Sequence, residues 1–339
     1  QHLRGIPILA VLIFHLSPSN FKNGYLGVDI FFVISGYLIT TQLVETERKS
    51  LGHYLSSFYF RRLKRILPSA IWVLAITLIA SYFLLGSVTF VQNLENATWT
   101  NLFTANWFYL HQGLDYFAAG NLNLFQHYWS LAIEEQFYLF WPLLLYFSGQ
   151  RKLIPITISL TSLALFLTSS FPNNFYGTPQ RIWELSLGAV LALKPIKSSA
   201  LLGTWVPWAL LFALLLPLNF SRNAMMLIVA LATAVYLVFS KSTESRGPLF
   251  QLGELSYILY LVHFPVIKIV NELISSGDSI IRIFLSILIT FLIALISHKF
   301  IENFFRYRQY RSVKTMIAGS MIVILTFQAI LILIKGLYV

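Results

Sequence analysis

Residues 4–15, RGIPILAVLIFH, place an arginine and a histidine at the two ends of an apolar run of ten residues. Arg4 and His15 are eleven positions apart, which is about three helical turns, so both side chains project from one face about 16 Å apart along the axis. Ionisable groups inside a membrane helix are costly and usually mark a site or a pathway. The alternative is that both residues are purely structural. Arg4 would then extend its side chain to the membrane–water interface, and His15 would hydrogen-bond a neighbouring residue.

The composition predicts a polytopic membrane protein. The 339 residues are 57% hydrophobic and 11% charged, with a mean hydropathy of +0.71, which is far more apolar than a soluble domain. The chain has no cysteine, which excludes a thiol as a covalent carrier and any thiolate metal site. Its seven histidines are dispersed without the short spacing of a zinc site, so no metal is predicted.

The expected fold is an all-α, polytopic integral membrane bundle of about eleven transmembrane helices. Residues 97–111, ATWTNLFTANWFYLH, are too polar and too short to cross and are predicted to form a re-entrant or interfacial segment. The predicted spans are 4–16, 25–43, 66–86, 129–147, 153–170, 180–194, 199–217, 223–239, 253–271, 280–298 and 316–334.

Clustered positive charge predicts the orientation. Five short segments hold 17 of the 24 Lys and Arg residues, and such loops face the cytoplasm. With eleven crossings the N-terminus is then cytoplasmic and the C-terminus extracytoplasmic. Because the net charge of +11 is dispersed over many loops, nucleic-acid binding is not expected. The five segments are 44–65, 148–152, 194–197, 241–246 and 299–314.

The second predicted span, GYLGVDIFFVISGYLIT at 24–40, carries Asp29 near the end that follows a short loop. This loop makes the first two helices antiparallel neighbours, so a contact between His15 and Asp29 would fix the imidazole tautomer, as a general base requires. The alternative is that Asp29 caps its helix at the water interface. Gly24, Gly27 and Gly36 allow close helix approach.

A dense basic run, RRLKRILP at 61–68, comes just before the third predicted span. Arg62 and Arg65 lie one helical turn apart, and arginine binds phosphate through two parallel hydrogen bonds. Together with Arg61 they are candidates for a phosphate clamp. The alternative is a topology signal that also meets anionic lipids.

The fourth predicted span opens with HYWSLAIEEQFY at 127–138 and contains two adjacent carboxylates. Helical spacing separates them, because Glu134 falls on a polar stripe whereas Glu135 shares its face with leucines. The alternative is a structural hydrogen-bond network between helices. The stripe consists of His127, Ser130, Glu134 and Tyr138.

Two further motifs contain candidate residues. In RIWELSLG, Arg181 and Glu184 are three positions apart, which predicts an intrahelical ion pair. In SYILYLVHFP, His263 is a candidate second site histidine, although tyrosine-rich helix packing explains it nearly as well.

In their order along residues 3–306, these motifs resemble the membrane acyltransferase family 3. The resemblance implies a bacterial inner-membrane O-acyltransferase that uses cytoplasmic acetyl-CoA to modify a cell-surface or lipid-linked polysaccharide. It also implies that Arg4 and His15 are paired essential residues, that Arg62 and Arg65 form an Arg-x-x-Arg motif, and that Glu134 belongs to an acidic motif. Residues 1–306 are the expected acyltransferase domain. Residues 307–339 are the expected basic segment and extra helix, similar to one that leads to an extracytoplasmic SGNH-type domain absent from this chain.

The expected chemistry has the acetyl-CoA phosphates at the basic inner face and the thioester high in the membrane, near His15. His15, oriented by Asp29 or Glu134, would deprotonate a sugar hydroxyl that arrives from outside. Direct transfer and a relay through His15, Ser35 or a tyrosine both remain open.

The competing class is a transporter or flippase of a lipid-linked saccharide, since buried ionisable residues also line carrier paths. The expected substrate-binding or supporting residues are Ser35, Ser130, Tyr138, Arg181, Glu184 and His263.

Overall fold

The computed structural model of the chain is built from helices. It describes residues 2–118, 120, 122–149, 151–193, 220–239, 247–275, 278–308, 310 and 312–338. Within these ranges there is no β-strand, so the predicted all-α class is confirmed. The α-helices are His2–Leu16 (α1), Gly27–Glu45 (α2), Leu51–Leu84 (α3), Gly86–Asn101 (α4), Ala105–His111 (α5), Tyr128–Phe147 (α6), Leu153–Thr168 (α7), Asn173–Tyr176 (α8), Thr178–Ala192 (α9), Arg222–Phe239 (α10), Pro248–Leu273 (α11), Ser279–Ser297 (α12), Asn303–Tyr307 (α13) and Val313–Gly336 (α14).

Six helices of the described ranges are long and apolar enough to cross a membrane, by length and composition. Two apolar helices, Leu3–Leu16 and Leu153–Thr168, are shorter. The predicted span 199–217 and the basic segments 194–197 and 241–246 lie outside the described residues. Each of the other predicted spans falls on a helix, but the count of eleven crossings is not confirmed. The six long helices are Gly24–Glu45, Leu51–Leu84, Arg222–Phe239, Pro248–Leu273, Ser279–Tyr307 and Val313–Gly336.

Helix α3 begins much earlier than the predicted third span. It starts at Leu51 because the Ser50 side chain caps it by accepting from the His53 amide at 3.2 Å. Its 34 residues correspond to about 51 Å, well beyond a hydrocarbon core of roughly 30 Å. The basic run 61–68 therefore belongs to the same continuous helix as the apolar stretch that follows it.

The segment predicted to be re-entrant or interfacial is not one helix. Helix α4 ends at Asn101, Phe103 has a positive φ of 54°, and α5 starts at Ala105. A left-handed backbone at a phenylalanine interrupts any continuous helix, so residues 97–111 form two helical pieces joined by a turn.

The described chain divides into two compact units. Unit 1 contains Gln1–Glu47 and Ile133–Ser256, and unit 2 contains Arg48–Ala132 and Tyr257–Val339. Helices α6 and α11 therefore contribute residues to both units.

In unit 1, helices α2 and α9 approach each other closely through glycine. A Cβ on Gly36 would overlap the Leu185 carbonyl, and a Cβ on Gly188 would overlap the Val33 carbonyl. Asp29 and Arg181, near the N-terminal ends of α2 and α9, are also in contact, so the two helices run parallel. Small residues at both crossings allow backbone-to-backbone contact, which holds the start of α9 against the start of α2.

The first two helices, α1 and α2, pack side by side in unit 1, as predicted. A Cβ on Gly24 would overlap the Ala10 carbonyl, and one on Gly27 would lie 2.6 Å from the Pro7 carbonyl oxygen. The prediction that these glycines, together with Gly36, permit close approach is confirmed.

In unit 2, buried asparagines hold the chain that leads into α6. The Asn93 Oδ1 atom accepts from the Leu124 amide at 2.9 Å, and its Nδ2 donates to the Leu122 carbonyl at 3.1 Å. The Asn123 Oδ1 atom accepts from the Phe125 amide at 2.9 Å. These bonds satisfy backbone groups of residues 122–125 that no helix pairs, and so fix the position of His127.

Candidate active site

Arg181 is the centre of a buried ionic cluster in unit 1. Its Nη2 atom lies 2.9 Å from Asp29 Oδ1 and 3.2 Å from Glu184 Oε2. The arginine and Glu184 are 0% exposed and Asp29 is 1% exposed. The guanidinium also lies over the Phe32 ring, 5.4 Å from its centroid. The predicted ion pair of Arg181 and Glu184 is confirmed, and it extends to a second helix through Asp29.

Asp29 therefore does not cap its helix at the water interface. Leu26 is the N-cap residue of α2, and Asp29 is buried within the first helical turn. A carboxylate there is favoured by the positive end of the helix dipole, but its ionic partner is Arg181 of α9. The cluster joins residues 152 positions apart in sequence, which makes it a tertiary tie between α2 and α9.

His15 lies in the last turn of α1, half-buried, with its Nδ1 atom 2.9 Å from the Val11 carbonyl oxygen. Because a carbonyl oxygen only accepts, Nδ1 must carry the proton in this bond. In the neutral imidazole the basic nitrogen is then Nε2. The tautomer-fixing role predicted for Asp29 is thus filled by a backbone carbonyl one turn earlier in the same helix.

A second polar group in unit 1 contains three of the predicted residues. Ser35 donates to Glu134 Oε2 at 2.9 Å, Tyr138 donates to the same oxygen at 2.5 Å, and the two hydroxyls also contact each other. Ser35 and Tyr138 are buried, whereas Glu134 is partly accessible. The carboxylate therefore organises two hydroxyls from α2 and α6 around one oxygen.

The other two residues of the predicted polar stripe, His127 and Ser130, lie in unit 2 at the start of α6. There they contact residues of α11. Ser130 Oγ is 2.6 Å from the Tyr260 hydroxyl, which donates to the His127 carbonyl at 2.9 Å. His127 Nε2 lies 3.0 Å from the Leu261 carbonyl. The rings of His127 and His263 are 5.6 Å apart between centroids, and both side chains are 0% exposed. Ser130 and His263 thus belong to one buried cluster.

The candidate arginines are divided between the units. Arg4 lies on α1 in unit 1, and the other three, Arg61, Arg62 and Arg65, lie on α3 in unit 2. All four are half-buried. Arg62 and Arg65 are three residues apart on a continuous helix, which puts them on one side of α3, as predicted. Their role as a phosphate clamp stays a prediction.

Sequence reasoning did not single out the asparagines that position His127. Asn93 is 0% exposed and Asn123 is 6% exposed, although both are strongly polar. The signal in the sequence was the asparagines at 93, 96 and 123, because a buried amide must find partners.

Comparison with known proteins identifies the family. Residues 1–299 match the family described as "Acyltransferase domain". The chain belongs to this acyltransferase family. With six helices of its described ranges long and apolar enough to span a bilayer, this family member is a membrane protein.

The curated relatives of this acyltransferase-family chain are O-acetyltransferases. The O-acetyltransferase OatA of Staphylococcus aureus (strain MRSA252) is 31% identical, over 98% of this chain and 62% of that protein. The peptidoglycan O-acetyltransferase OatA of Listeria monocytogenes is 31% identical, over 89% of this chain and 54% of that protein. A putative O-acetyltransferase of Staphylococcus aureus (strain COL) is 33% identical, over 90% and 56% respectively. The chain therefore spans 54–62% of the length of these relatives. No solved structure matches it.

Replacing Arg181 with methionine should strongly destabilise the protein. The substitution leaves two buried carboxyl groups without their cation, a change that costs about 3–5 kcal/mol. We expect a clear drop in the thermal unfolding midpoint in detergent for Arg181→Met. The triple variant Arg181→Met, Asp29→Asn, Glu184→Gln should recover part of the loss.

The matched control is Arg151→Met, because Arg151 is exposed and should tolerate the same change. Equal midpoints for Arg181→Met and Arg151→Met would contradict a structural role for the cluster.

Proposed function

We propose that this protein transfers an acetyl group from acetyl-CoA to a hydroxyl of a cell-wall polysaccharide. Family membership and the O-acetyltransferase names of the relatives support the reaction class. The observation that carries the assignment in this chain is His15, whose Nδ1–H is held by the Val11 carbonyl. That bond leaves Nε2 as a base with a defined orientation.

In the proposed step, His15 Nε2 accepts the proton of the acceptor hydroxyl as the oxygen attacks the thioester carbonyl. The carbon–sulfur bond breaks, the acetyl group becomes an ester of the sugar, and the leaving CoA thiolate takes the proton from the imidazolium. General-base assistance of this kind contributes about 10²–10⁴-fold. A relay is the second route, with the Ser35 hydroxyl as carrier, since its proton is already directed at Glu134.

The phosphates of the donor are proposed to bind the arginines of α3 in unit 2, and Arg4 in unit 1 is a separate candidate for the same role. A polyanionic nucleotide does not readily enter the bilayer, and arginine is the residue best suited to phosphate oxygens. The rise of about 16 Å from Arg4 to His15 is comparable to the reach of an extended pantetheine arm. From Arg4, such an arm would bring the thioester to His15 while the nucleotide stays at the membrane surface.

The topology proposed with this reaction keeps the N-terminus and the basic segments in the cytoplasm, where acetyl-CoA is made. The C-terminus is then extracytoplasmic. Residues 1–306 form the acyltransferase domain, and residues 307–339 contribute a basic segment and helix α14.

The test of this function is acetyl transfer by the purified protein in liposomes. Radiolabelled acetyl-CoA is supplied on one side and peptidoglycan fragments on the other, and ester-linked label is counted. His15→Ala should lower transfer by about 10²-fold or more, because it removes the base. The control is His111→Ala, an exposed histidine at the end of α5, which should retain activity. Movement of a glycan with no acetyl group lost from CoA would instead support the transporter class.

Glu134→Gln should reduce turnover at least tenfold, and Glu135→Gln should reduce it less. The amide keeps the shape of the side chain but removes the carboxylate that accepts from both Ser35 and Tyr138. Charge-assisted bonds of this kind are worth about twice a neutral one. Initial rates in the liposome assay, with unfolding midpoints as a check on folding, measure the difference. The opposite order of the two variants would rule out the assignment of Glu134.

Arg65→Ala should weaken binding of acetyl-CoA at least tenfold, as expected for the loss of one charged hydrogen bond worth about 1.5–3 kcal/mol. Arg282→Ala is the matched control, because Arg282 lies in the first turn of α12 and bonds Ser279 at 3.0 Å. Isothermal calorimetry in detergent gives both affinities. Equal losses in the two variants would remove the clamp assignment.

A further inference from the structure

Unit 2 contains an apolar groove of about 610 Å³ between helices α3 and α14. Both helices are among those long and apolar enough to span a membrane. The groove is distinct from the polar clusters described above. Its walls include Leu67, Ile71 and Ala75 of α3 and Gly319, Val323 and Phe327 of α14.

The depth of the groove matches one leaflet of a bilayer. Its lining on α3 extends from Leu63 to Ala75, which is about 18 Å of helix. A hydrocarbon core of roughly 30 Å gives each leaflet about half that thickness. A single acyl chain that enters at the surface would therefore reach the bottom of the groove near the middle of the bilayer.

One end of the groove carries positive charge. Lys64 lines it, and its Nζ atom donates to the Arg308 carbonyl at 3.2 Å. The same ammonium lies 5.7 Å from the centre of the Tyr310 ring, and the Arg308 guanidinium lies 5.9 Å from it. Lysine, arginine and tyrosine together are typical of the layer where lipid headgroups meet the hydrocarbon.

The described lining contains no carboxylate to oppose this charge. The nearby Glu302 is 1% exposed and is engaged by His298 at 3.0 Å and Arg306 at 3.8 Å. The groove thus combines an apolar body with a cationic rim. This is the complement of a lipid with an anionic head.

We propose that this groove binds one acyl chain of an anionic phospholipid, with the headgroup phosphate at Lys64 and Arg308. Lipid is the solvent of a membrane-spanning surface, so hydrocarbon fills an apolar groove there. The cationic rim selects among lipids, because each Lys or Arg near the surface contributes about 1 kcal/mol toward anionic headgroups. Acetyl-CoA fits poorly, since the amides of its pantetheine arm would lose hydrogen bonds in the apolar body. The proposal does not depend on acyl transfer.

The test uses Trp72, which lines the groove, as a fluorescent reporter. The 339-residue chain is purified in detergent, stripped of lipid and titrated with phosphatidylglycerol that carries brominated chains, which quench tryptophan on contact. Lipid bound in the groove is measured as the difference in fluorescence quenching between the unaltered protein and the Trp72→Phe variant. We expect this difference to saturate with lipid concentration.

Gly319→Phe should abolish the difference, because a side chain there meets no atom within 4 Å and extends into the groove. Gly336→Phe is the matched control on the same helix, since its site is equally open and lies outside the groove. Lys64→Gln should raise the half-saturating concentration about fivefold, whereas Lys49→Gln should leave it unchanged.

Four results would each overturn the proposal. They are absence of Trp72-dependent quenching, equal quenching in the two glycine variants, equal half-saturation by brominated phosphatidylcholine, and displacement of the lipid by CoA. The last result would show that CoA, and not lipid, binds in the groove.

Discussion

Two carboxylates and one guanidinium share a part of unit 1 that water does not reach, and the arrangement of α2 and α9 depends on that ionic cluster. A carboxylate buried alone carries a large desolvation penalty, and the guanidinium of Arg181 offsets it because it contacts both Asp29 and Glu184. The guanidinium can reach both because Gly36 and Gly188 let the two backbones touch. The glycines set the distance between the axes of α2 and α9. The ion pairs of Arg181 fix how far one helix is shifted along the other. Ser35 lies farther along the same α2 helix, which also bonds α6 where Trp141 Nε1 donates to the Thr40 hydroxyl at 2.8 Å.

The local features were accessible from the sequence. Spacing of three residues was sufficient for the ion pair of Arg181 and Glu184, since it depends only on helical geometry. Helical periodicity also selected Glu134, which the structure brings to Ser35 and Tyr138. The short loop after α1 correctly made the first two helices neighbours. These predictions succeeded because each required only contacts along one helix or across one short connection.

Contacts between residues far apart in the chain could not be predicted from the sequence in the same way. Asp29 could be paired by sequence only with what lay near it in the chain, which suggested His15, whereas its ionic partner comes from a helix 152 residues away. The start of α3 was misplaced because hydropathy detects only the apolar part of a helix, and the Ser50 cap lies on the polar side. Likewise the two histidines of the cluster in unit 2 come from α11 and the chain before α6, and no pattern along either segment predicts that they meet.

The continuity of α3 has a mechanical consequence. The arginines near its N-terminal end and the apolar stretch that follows belong to one helix of 34 residues, in which Pro68 lies between them, lacks a backbone N–H and is the point where the helix can bend. A tilt of the part inside the bilayer therefore reaches the guanidinium groups at the surface through this single helix, reduced by any bend at Pro68. Bilayer thickness, which governs how much a long helix leans, is therefore a variable to which the arginine end of this protein is physically coupled.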